Sequence, residues 1–260
     1  MLILISPAKS LNYESSLSDK NFSLPYFEKE TQELVKELKK FQSSDLEKIM
    51  KISKKLADLN FERFQNFSSK FDLKNSKQAI FVFDGDVYKP IELEKFNKND
   101  FEFLQKNLRI LSGFYGILKP FDLMQPYRLE MGTDFKNTSL EQNLKIKNLY
   151  QFWGDKIANY LDKETKENGD EYIVNLASEE YFLAVNENKI EAKIINIVFK
   201  EKKNGSYKII GINAKKARGL MVNFIVKNHI KSIVKLKEFD CDGYSFSKEM
   251  SDKKNFVFIR

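Results

Sequence analysis

Side chains able to hold an anion follow the first apolar run of the chain. Residues 2–6 (LILIS) have the composition of a buried strand. The segment of interest, residues 6–10 (SPAKS), begins at the last residue of this strand. In sheets covered by helices, ligands usually bind at the carboxyl ends of strands. Lys9 could therefore act as a point charge for phosphate, or as a nucleophile if burial lowers its pKa. A solvated lysine after a proline turn is the alternative.

Two glycines in the middle of the chain have the spacing Gly-x-x-Gly. We interpret residues 108–120 (LRILSGFYGILKP) as a helix that runs into Gly113 and Gly116. Such a turn lets a sugar–phosphate backbone approach free backbone amides, as in helix-hairpin-helix and KH modules. Two glycines that merely end a helix are an equally good explanation, because Pro120 shortens any second helix.

An arginine and a carboxylate alternate in residues 125–132 (QPYRLEMG). In an extended chain Arg128 and Glu130 lie on the same side, since side chains alternate with period two. A guanidinium beside a carboxylate suits an anion or the edge of a nucleobase. The same arrangement suits a structural ion pair, which is the commoner case.

Three cations are concentrated at the start of a predicted helix, in residues 214–221 (AKKARGLM). Lys215 and Arg218 are three residues apart in the first helical turn, where free backbone amides already favour anions. The small residues around Lys215, Lys216 and Arg218 would let a phosphate chain approach closely. This segment therefore favours a binding function over a purely structural one.

The elements that must position these segments are helices and strands without strict alternation. Strands are predicted at residues 2–6, 78–83, 171–176, 192–200, 206–212 and 256–259. Helices are predicted within residues 27–75 and at 99–111, 138–163 and 214–229. Asn204-Gly205 supplies the positive φ angles of a tight hairpin between two of the strands. The mixture predicts one α+β domain, residues 1–260, with a mixed sheet and surrounding helices.

Composition excludes several classes of function. The chain has 260 residues with one cysteine and one histidine, which excludes disulfide frameworks, cysteine-based metal clusters and histidine-rich metal sites. Neither a phosphate-loop motif nor Gly-x-Gly-x-x-Gly occurs. No run approaches the roughly 20 apolar residues of a membrane span, and the start of the chain lacks the features of a signal peptide. We expect a cytoplasmic protein with no metal and no cofactor.

Positive charge is concentrated near the end of the chain. The formal net charge is +7, yet residues 191–260 alone hold 16 Lys and Arg against 7 Asp and Glu, a balance of +9. The first 190 residues hold 28 against 30, a balance of −2. A basic last quarter suggests one surface for polyanions. A lysine-rich composition that reflects an AT-rich genome is the alternative.

In their order along the chain, these segments resemble the YaaA family, the peroxide stress response proteins of bacteria. The matching residues are SPAK at 6–9, FDGDVY at 83–88, LRILSGFYGILKPFDLMQPYRLEMGT at 108–133, FWG at 152–154, NLAS with EY around 175–181, AKKARGLM at 214–221 and FVF near the end. The resemblance spans the whole chain, and Lys119 in place of a frequent arginine is a minor departure. It implies an unusual fold with a positively charged cleft that binds double-stranded DNA, partly through a helix-hairpin-helix-like element. It also implies protection from hydrogen peroxide by limiting reactive iron.

The leading hypothesis is a DNA-binding protein of the peroxide stress response with little sequence specificity. Its predicted partner is double-stranded DNA and not a membrane, and we expect a monomer. Direct base readout is not expected, because no recognition helix of Arg, Asn and Gln is visible. The residues predicted to bind DNA are Lys9, Arg109, Gly113, Tyr115, Gly116, Arg128, Lys215, Lys216 and Arg218.

The alternative is an enzyme that acts on a nucleotide or a damaged base in the same cleft. Its candidate catalytic residues, which we expect to meet although they are far apart in sequence, are Lys9, Arg128, Glu130 and Tyr181. In a plain backbone groove Glu130 should pair with Arg128, whereas in an enzyme it should point into the cavity with a perturbed pKa. Sequestration of iron is the weakest hypothesis, because no Glu-x-x-His pair exists.

Overall fold

The structure is a computed structural model that describes residues 1–16 and 21–260. Its α-helices are α1 (Glu28–Leu38), α2 (Ser43–Met50), α3 (Lys54–Gln65), α4 (Ala79–Val82), α5 (Lys98–Asn107), α6 (Ser139–Leu144), α7 (Leu149–Trp153), α8 (Lys156–Asn168), α9 (Glu179–Phe182) and α10 (Gly211–Lys227). Its strands are β1 (Leu2–Ile5), β2 (Ser10–Leu11), β3 (Lys77–Gln78), β4 (Phe83–Asp84), β5 (Leu108–Ser112), β6 (Gly116–Leu118), β7 (Leu123–Met124), β8 (Tyr172–Asn175), β9 (Lys193–Lys203), β10 (Ser206–Lys208), β11 (Ser245–Phe246) and β12 (Asn255–Ile259). Short 3-10 helices occupy Lys89–Ile91, Leu93–Lys95, Glu187–Lys189, Lys235–Glu238 and Cys241–Gly243. None of the described helices is long and apolar enough to span a lipid bilayer.

One large mixed sheet forms the centre of the fold. Its eight strands follow the order β11-β12-β9-β8-β1-β5-β6, with β10 paired to β9. Neighbours within the series β12, β9, β8, β1 and β5 are parallel. The remaining strands, β6, β10 and β11, pair antiparallel to their neighbours. The prediction of an α+β fold with a mixed sheet and surrounding helices is confirmed.

Burial explains why the central strands are apolar along their whole length. Every residue of β1 and β5 is buried, as expected for parallel strands that are covered on both faces. In β9, by contrast, buried residues alternate with partly exposed ones over most of the strand. The most deeply buried part of the sheet therefore lies around β1, directly before residues 6–10.

The strand order creates a crevice beside β1. The chain passes from β1 to β5 on one side, returns to β8 on the other side of β1, and continues outward to β9 and β12. β1 and β8 are parallel neighbours, with Leu4 opposite Asn175. Their connections therefore leave the sheet in opposite directions. In open α/β sheets, ligands bind at the carboxyl ends of the strands where this switch occurs.

Two predicted elements have a different type in the structure. Residues 78–83, predicted as a strand, contain the helix α4 between the short strands β3 and β4. All of α4 is buried, and a short apolar run does not distinguish a buried helix from a strand. The helix predicted at 99–111 ends at Asn107, and the residues after it form β5. The start of α5 is capped by Asn97, whose side chain accepts a hydrogen bond from the amide of Asp100.

Positive φ angles mark breaks and turns in the chain. The single helix predicted at 138–163 is divided into α6, α7 and α8. Lys145 and Gly154, with φ angles of 55° and 48°, follow the last residues of α6 and α7. Asn204 and Gly205 have φ angles of 52° and 76°, which confirms the predicted hairpin between β9 and β10.

Candidate functional site

A cavity of about 490 Å³ lies at the carboxyl ends of β1 and β8, in the crevice where the strand order switches. It is enclosed by residues 6–10, residues 84–88, residues 178–181 and the first turns of α10. Its polar and charged lining includes Ser6, Lys9, Asp86, Tyr181, Lys215 and Arg218. The fold thus brings together four segments that the sequence singles out, at residues 6–9, 83–88, 175–181 and 214–221. Because α10 begins at Gly211, Lys215 and Arg218 lie beyond the first helical turn in which they were predicted.

Two serines join the walls of the cavity. The amide of Ser178 donates to Ser6 Oγ at 2.8 Å, and the Ser6 hydroxyl donates to Ser178 Oγ at 3.1 Å. The hydroxyl of Tyr88 donates to the carbonyl oxygen of Ser6 at 2.9 Å. These bonds link the segments that follow β1, β4 and β8, so three walls of the cavity are fixed relative to one another.

Gly219 sets the position of α10 against the cavity. A Cβ atom at residue 219 would overlap the carbonyl oxygen of Val87 and lie 3.3 Å from Pro90 Cβ. The helix therefore touches the backbone of the segment after β4, and only glycine permits this approach. Asn223 adds a bond from its side-chain amide to the Ile91 carbonyl oxygen at 2.7 Å. This corrects the expectation that the small residues here admit a phosphate chain, because Gly219 serves helix packing.

The cations of α10 have no acidic partners in the described part of the chain. Lys215 and Arg218 line the cavity, and Lys216 is exposed outside it. Arg218 is partly buried, and burial lowers the pKa of its guanidinium. No hydrogen bond or ion pair joins these three side chains to any described residue. A guanidinium that lines a cavity without a partner is well placed to bind an anion.

Glu130 joins two of the predicted site cations. Lys9 Nζ lies 2.9 Å from one carboxylate oxygen of Glu130, and a terminal nitrogen of Arg128 lies 2.8 Å from the other. The Lys9 side chain is 62% exposed, whereas those of Glu130 and Arg128 are 24% and 17% exposed. The Nε atom of Arg128 is buried without a hydrogen-bond partner among the described residues. One carboxylate thus partly neutralises both cations, which is the pairing expected of a backbone groove.

Tyr181 lies beside this ion-pair cluster. Its side chain is buried, and it is hydrogen-bonded to the backbone of Met131, the residue after Glu130. Burial raises the pKa of Tyr181 well above its usual value, with further contributions from Tyr127, Glu180 and Glu130. The four candidate catalytic residues therefore lie together, but the covered ring of Tyr181 offers no open face on which a base could stack.

Carboxylates also line the cavity. Asp86 and Glu179 have no hydrogen-bond or ion-pair partner for their side chains among the residues that the structure describes. Glu180 accepts a hydrogen bond from the amide of Gly132 at 3.1 Å. Within residues 1–16 and 21–260, no three His, Cys, Asp or Glu side chains are grouped to hold a metal ion. The cavity therefore presents both signs of charge.

Arg109 does not belong to this site. It is the second residue of β5 and is 1% exposed. Its guanidinium donates two hydrogen bonds to the carboxylate of Glu164, and the bond from Nε is 2.7 Å long. Its remaining donors reach the backbone carbonyl oxygens of Gln105, Lys106 and Leu108. The prediction that Arg109 contacts DNA is therefore corrected, because the protein itself uses every donor of the guanidinium.

The predicted Gly-x-x-Gly element is a buried turn between β5 and β6, and not a helix followed by a hairpin. Ser112 Oγ accepts hydrogen bonds from the amides of Phe114 and Tyr115, at 3.3 and 3.0 Å. Tyr115 is fully buried, and its hydroxyl donates to the carbonyl oxygen of Gln125 at 3.2 Å. The amides expected to meet phosphate are thus occupied, which corrects the assignment of Gly113, Tyr115 and Gly116 to DNA binding.

The two glycines of this turn permit close packing. A Cβ atom at Gly113 would overlap the carbonyl oxygen of Leu129. One at Gly116, where φ is +71°, would lie 2.7 Å from the ring of Trp153. The indole nitrogen of Trp153 donates to the carbonyl oxygen of Gly113 at 3.0 Å. The turn therefore supports the segment that carries Glu130.

Several basic residues of the segment 191–260 line two cavities, which lie at opposite ends of the central strands. Lys215 and Arg218 line the cavity at the carboxyl ends of β1 and β8. A separate groove of about 1070 Å³ lies at the amino ends of β8, β9 and β12 and contains Tyr172, Ile194 and Phe256. The lysines that line this second groove are Lys193, Lys237, Lys248, Lys253 and Lys254. Basic residues of this last quarter therefore line two separate cavities, and a single basic surface stays a prediction.

Comparison with known proteins identifies the family of this chain. The family model described as "Peroxide stress protein YaaA" matches residues 1–250. Curated relatives described as "UPF0246 protein" from Aliivibrio fischeri (strain ES114) and Saccharophagus degradans are 47% and 48% identical over 260 residues. These alignments cover all of this chain and 98% and 99% of the relatives. A UPF0246 protein from Acaryochloris marina is 47% identical, with both chains covered completely. The chain therefore belongs to the peroxide stress protein YaaA family.

Proposed function

We propose that this protein acts in the cytoplasm in the response to peroxide and binds double-stranded DNA there with little sequence preference. Its family supports the stress role. The observation that carries the DNA-binding proposal is the group of three cations, Lys215, Lys216 and Arg218, which share one turn of α10. They have no acidic partners in the described ranges. Unpaired cations on a rigid helix suit a row of phosphates.

Lys215 and Lys216 are the main proposed contacts with the DNA backbone. Both are exposed, and an ammonium group acts as a point charge that needs no fixed geometry. Lys9 lines the same cavity, but its ammonium already lies 2.9 Å from Glu130. Arg128 is paired with the same carboxylate. We therefore assign Lys9 and Arg128 smaller contributions than the two lysines of α10.

A titration of a labelled DNA duplex at several salt concentrations tests this proposal. The informative variant combines Lys215→Ala with Lys216→Ala. Each phosphate contact contributes about −0.9 to the slope of log K against log salt, so the variant should reduce the slope by about 1.8. Circular dichroism should show an intact fold, because both side chains are exposed and form no bonds with described residues.

The matched control combines Lys253→Ala with Lys254→Ala. It removes the same charge from the groove at the amino ends of β8, β9 and β12. We expect the control to bind the duplex with nearly the slope of the wild type. Equal losses in the two double variants would overturn the assignment to α10. Absence of binding by the wild type at low salt would overturn the DNA-binding proposal itself.

An enzyme that acts on a nucleotide or a damaged base is the second candidate function. The carboxylates in the lining of the cavity favour it, because a groove for a duplex backbone does not need Asp86 and Glu179. Against it stands Glu130, which pairs with Arg128. Glu130→Gln separates the two functions, since it removes the negative charge between Lys9 and Arg128. Tighter duplex binding supports the groove, and loss of an activity on a modified base supports the enzyme.

A further inference from the structure

We infer that the cavity at the carboxyl ends of β1 and β8 binds a single nucleotide unit, with its phosphate held by Arg218 and Lys215. The inference rests on the proposed function in that it assigns a ligand to the same face of the protein. A free mononucleotide and one nucleotide of a single strand share the required chemistry. Binding experiments with both kinds of ligand separate the two sources.

Arg218 is the strongest indication of a small anionic ligand. Its guanidinium lines the cavity, is partly buried and has no hydrogen-bond or ion-pair partner in residues 1–16 and 21–260. A cation withdrawn from water without a partner is costly unless an anion completes its interactions. The planar fork of arginine matches two oxygens of a phosphate group. Lys215, three residues earlier on the same helix face, adds a second positive charge.

A hydroxyl donor is available in the wall of the cavity. Ser178 Oγ accepts the hydrogen bond of the Ser6 hydroxyl, and the Ser178 hydroxyl donates to no described residue. Ser178 is the residue before α9, yet its side chain makes no capping bond to that helix. It can therefore donate a hydrogen bond to an oxygen of a ligand without breaking an existing one.

Asp86 suits the other end of a nucleotide. Its carboxylate lines the same cavity and has no partner among the described side chains. A carboxylate accepts hydrogen bonds from ribose hydroxyls or from the amino group of a base, but repels a second phosphate. A ligand with one anionic end and one end that donates hydrogen bonds therefore satisfies both Arg218 and Asp86. A chain of phosphates would satisfy only the cation.

The volume of the cavity is sufficient for one such unit. About 490 Å³ lies within the range of roughly 300–1,000 Å³ that small-molecule sites occupy. A duplex can lie across the opening and contact the exposed Lys216, but it is too wide to enter a cavity of this size. The position at the switch of strand order is where open α/β sheets bind their ligands. Size and position thus agree with the charge pattern.

Equilibrium binding of 5′-mononucleotides to the full chain tests the inference, with inorganic phosphate as a probe of the anion subsite alone. Arg218→Ala should weaken nucleotide binding about 10- to 100-fold, the effect of losing hydrogen bonds to a charged group. Arg218→Lys keeps the charge and should retain part of the affinity, which also covers the case that the alanine variant fails to fold. Lys254→Ala is the matched control at the opposite groove and should bind nucleotides as the wild type does.

A short single-stranded oligonucleotide identifies the source of the nucleotide. If mononucleotides bind and depend on Arg218, the free nucleotide is the ligand. If only the oligonucleotide binds, with the same dependence on Arg218, the strand supplies the nucleotide. Absence of binding by both probes overturns the inference, and so does equal affinity in the wild type and in both Arg218 variants.

Duplex binding, measured in parallel, separates this inference from the proposed function. If the duplex binds through Lys215 and Lys216 while no nucleotide binds, only the inference fails. If nucleotides bind through Arg218 while the duplex does not bind at low salt, only the DNA-binding proposal fails.

Discussion

Replacing Gly219 by alanine tests whether α10 is held against the backbone of the segment after β4. The new Cβ atom would overlap the carbonyl oxygen of Val87, and it would lie 3.0 Å from the carbonyl carbon of Val87 and 3.3 Å from Pro90 Cβ. Because two of these atoms belong to the backbone, the helix itself must move. Overpacking of this kind costs about 3 kcal/mol, and the higher helix propensity of alanine offsets about 1 kcal/mol of it. We expect Gly219→Ala to lower the free energy of unfolding by about 2 kcal/mol.

Urea denaturation measures this loss as a lower midpoint with an unchanged slope. Gly211→Ala is the matched control, because it lies at the start of the same helix and its Cβ atom would meet nothing within 4 Å. The control should be unchanged or more stable by up to about 1 kcal/mol. Because α10 carries Lys215 and Arg218, Gly219→Ala should also weaken duplex binding. A Gly219→Ala variant as stable as the wild type would refute the reasoning.

Two further predictions concern the buried interactions that support the sheet. Glu164→Ala should destabilise the fold by about 3–5 kcal/mol in the same denaturation, because it leaves Arg109 buried without its counter-charge. Burial raises the pKa of Glu164, but the hydrogen bonds and charge of Arg109 outweigh this effect, so the pKa lies below its usual value. The wild type should therefore lose the stability that comes from this lowered pKa as the pH falls below the ordinary glutamate value of about 4.3, and Glu164→Ala should not. Equal losses of stability in the two proteins between pH 7 and about pH 3.5 would contradict the pairing. Ser112→Ala should lower the free energy of unfolding by about 1–3 kcal/mol, because the amides of Phe114 and Tyr115 lose their hydrogen-bond acceptor. An unchanged midpoint of thermal unfolding would show that the turn does not depend on Ser112.

Features with strong local signals could be predicted from the sequence. The hairpin at Asn204-Gly205 was predictable because it depends only on the positive φ angles of these two neighbouring residues. Contacts with residues distant in sequence are not needed to form it. The strand at residues 2–6 was predictable because its apolar run is followed at once by Ser-Pro. The helix that carries Lys215 was predictable because its apolar residues recur at helical spacing, although it begins at Gly211, before its predicted start. Since ligands bind at strand ends, these local features pointed to the end of β1, where Lys9 lines the cavity.

Arg109 and Tyr115 show why some residues were wrongly assigned to the site from the sequence. The partner of the Arg109 guanidinium is Glu164, 55 residues away in the sequence. The hydroxyl of Tyr115 bonds to the backbone of Gln125, and the amide of Tyr115 is occupied by Ser112. A polar residue in an apolar run gives no local sign of whether it faces a ligand or a buried partner. The wholly buried strand β5 also has the composition of a continued helix, so its type could not be determined by periodicity.

Hydrogen exchange of the protein with and without a saturating DNA duplex maps the proposed binding face most directly. We expect slower exchange in residues 6–10, 84–88 and 178–181 and at the start of α10, the segments that enclose the cavity. The groove at the amino ends of β8, β9 and β12 should exchange at the same rate in both samples. Protection confined to that groove would place the DNA at the amino ends of the strands. It would contradict the proposal that α10 and the cavity at the carboxyl ends of β1 and β8 bind the DNA.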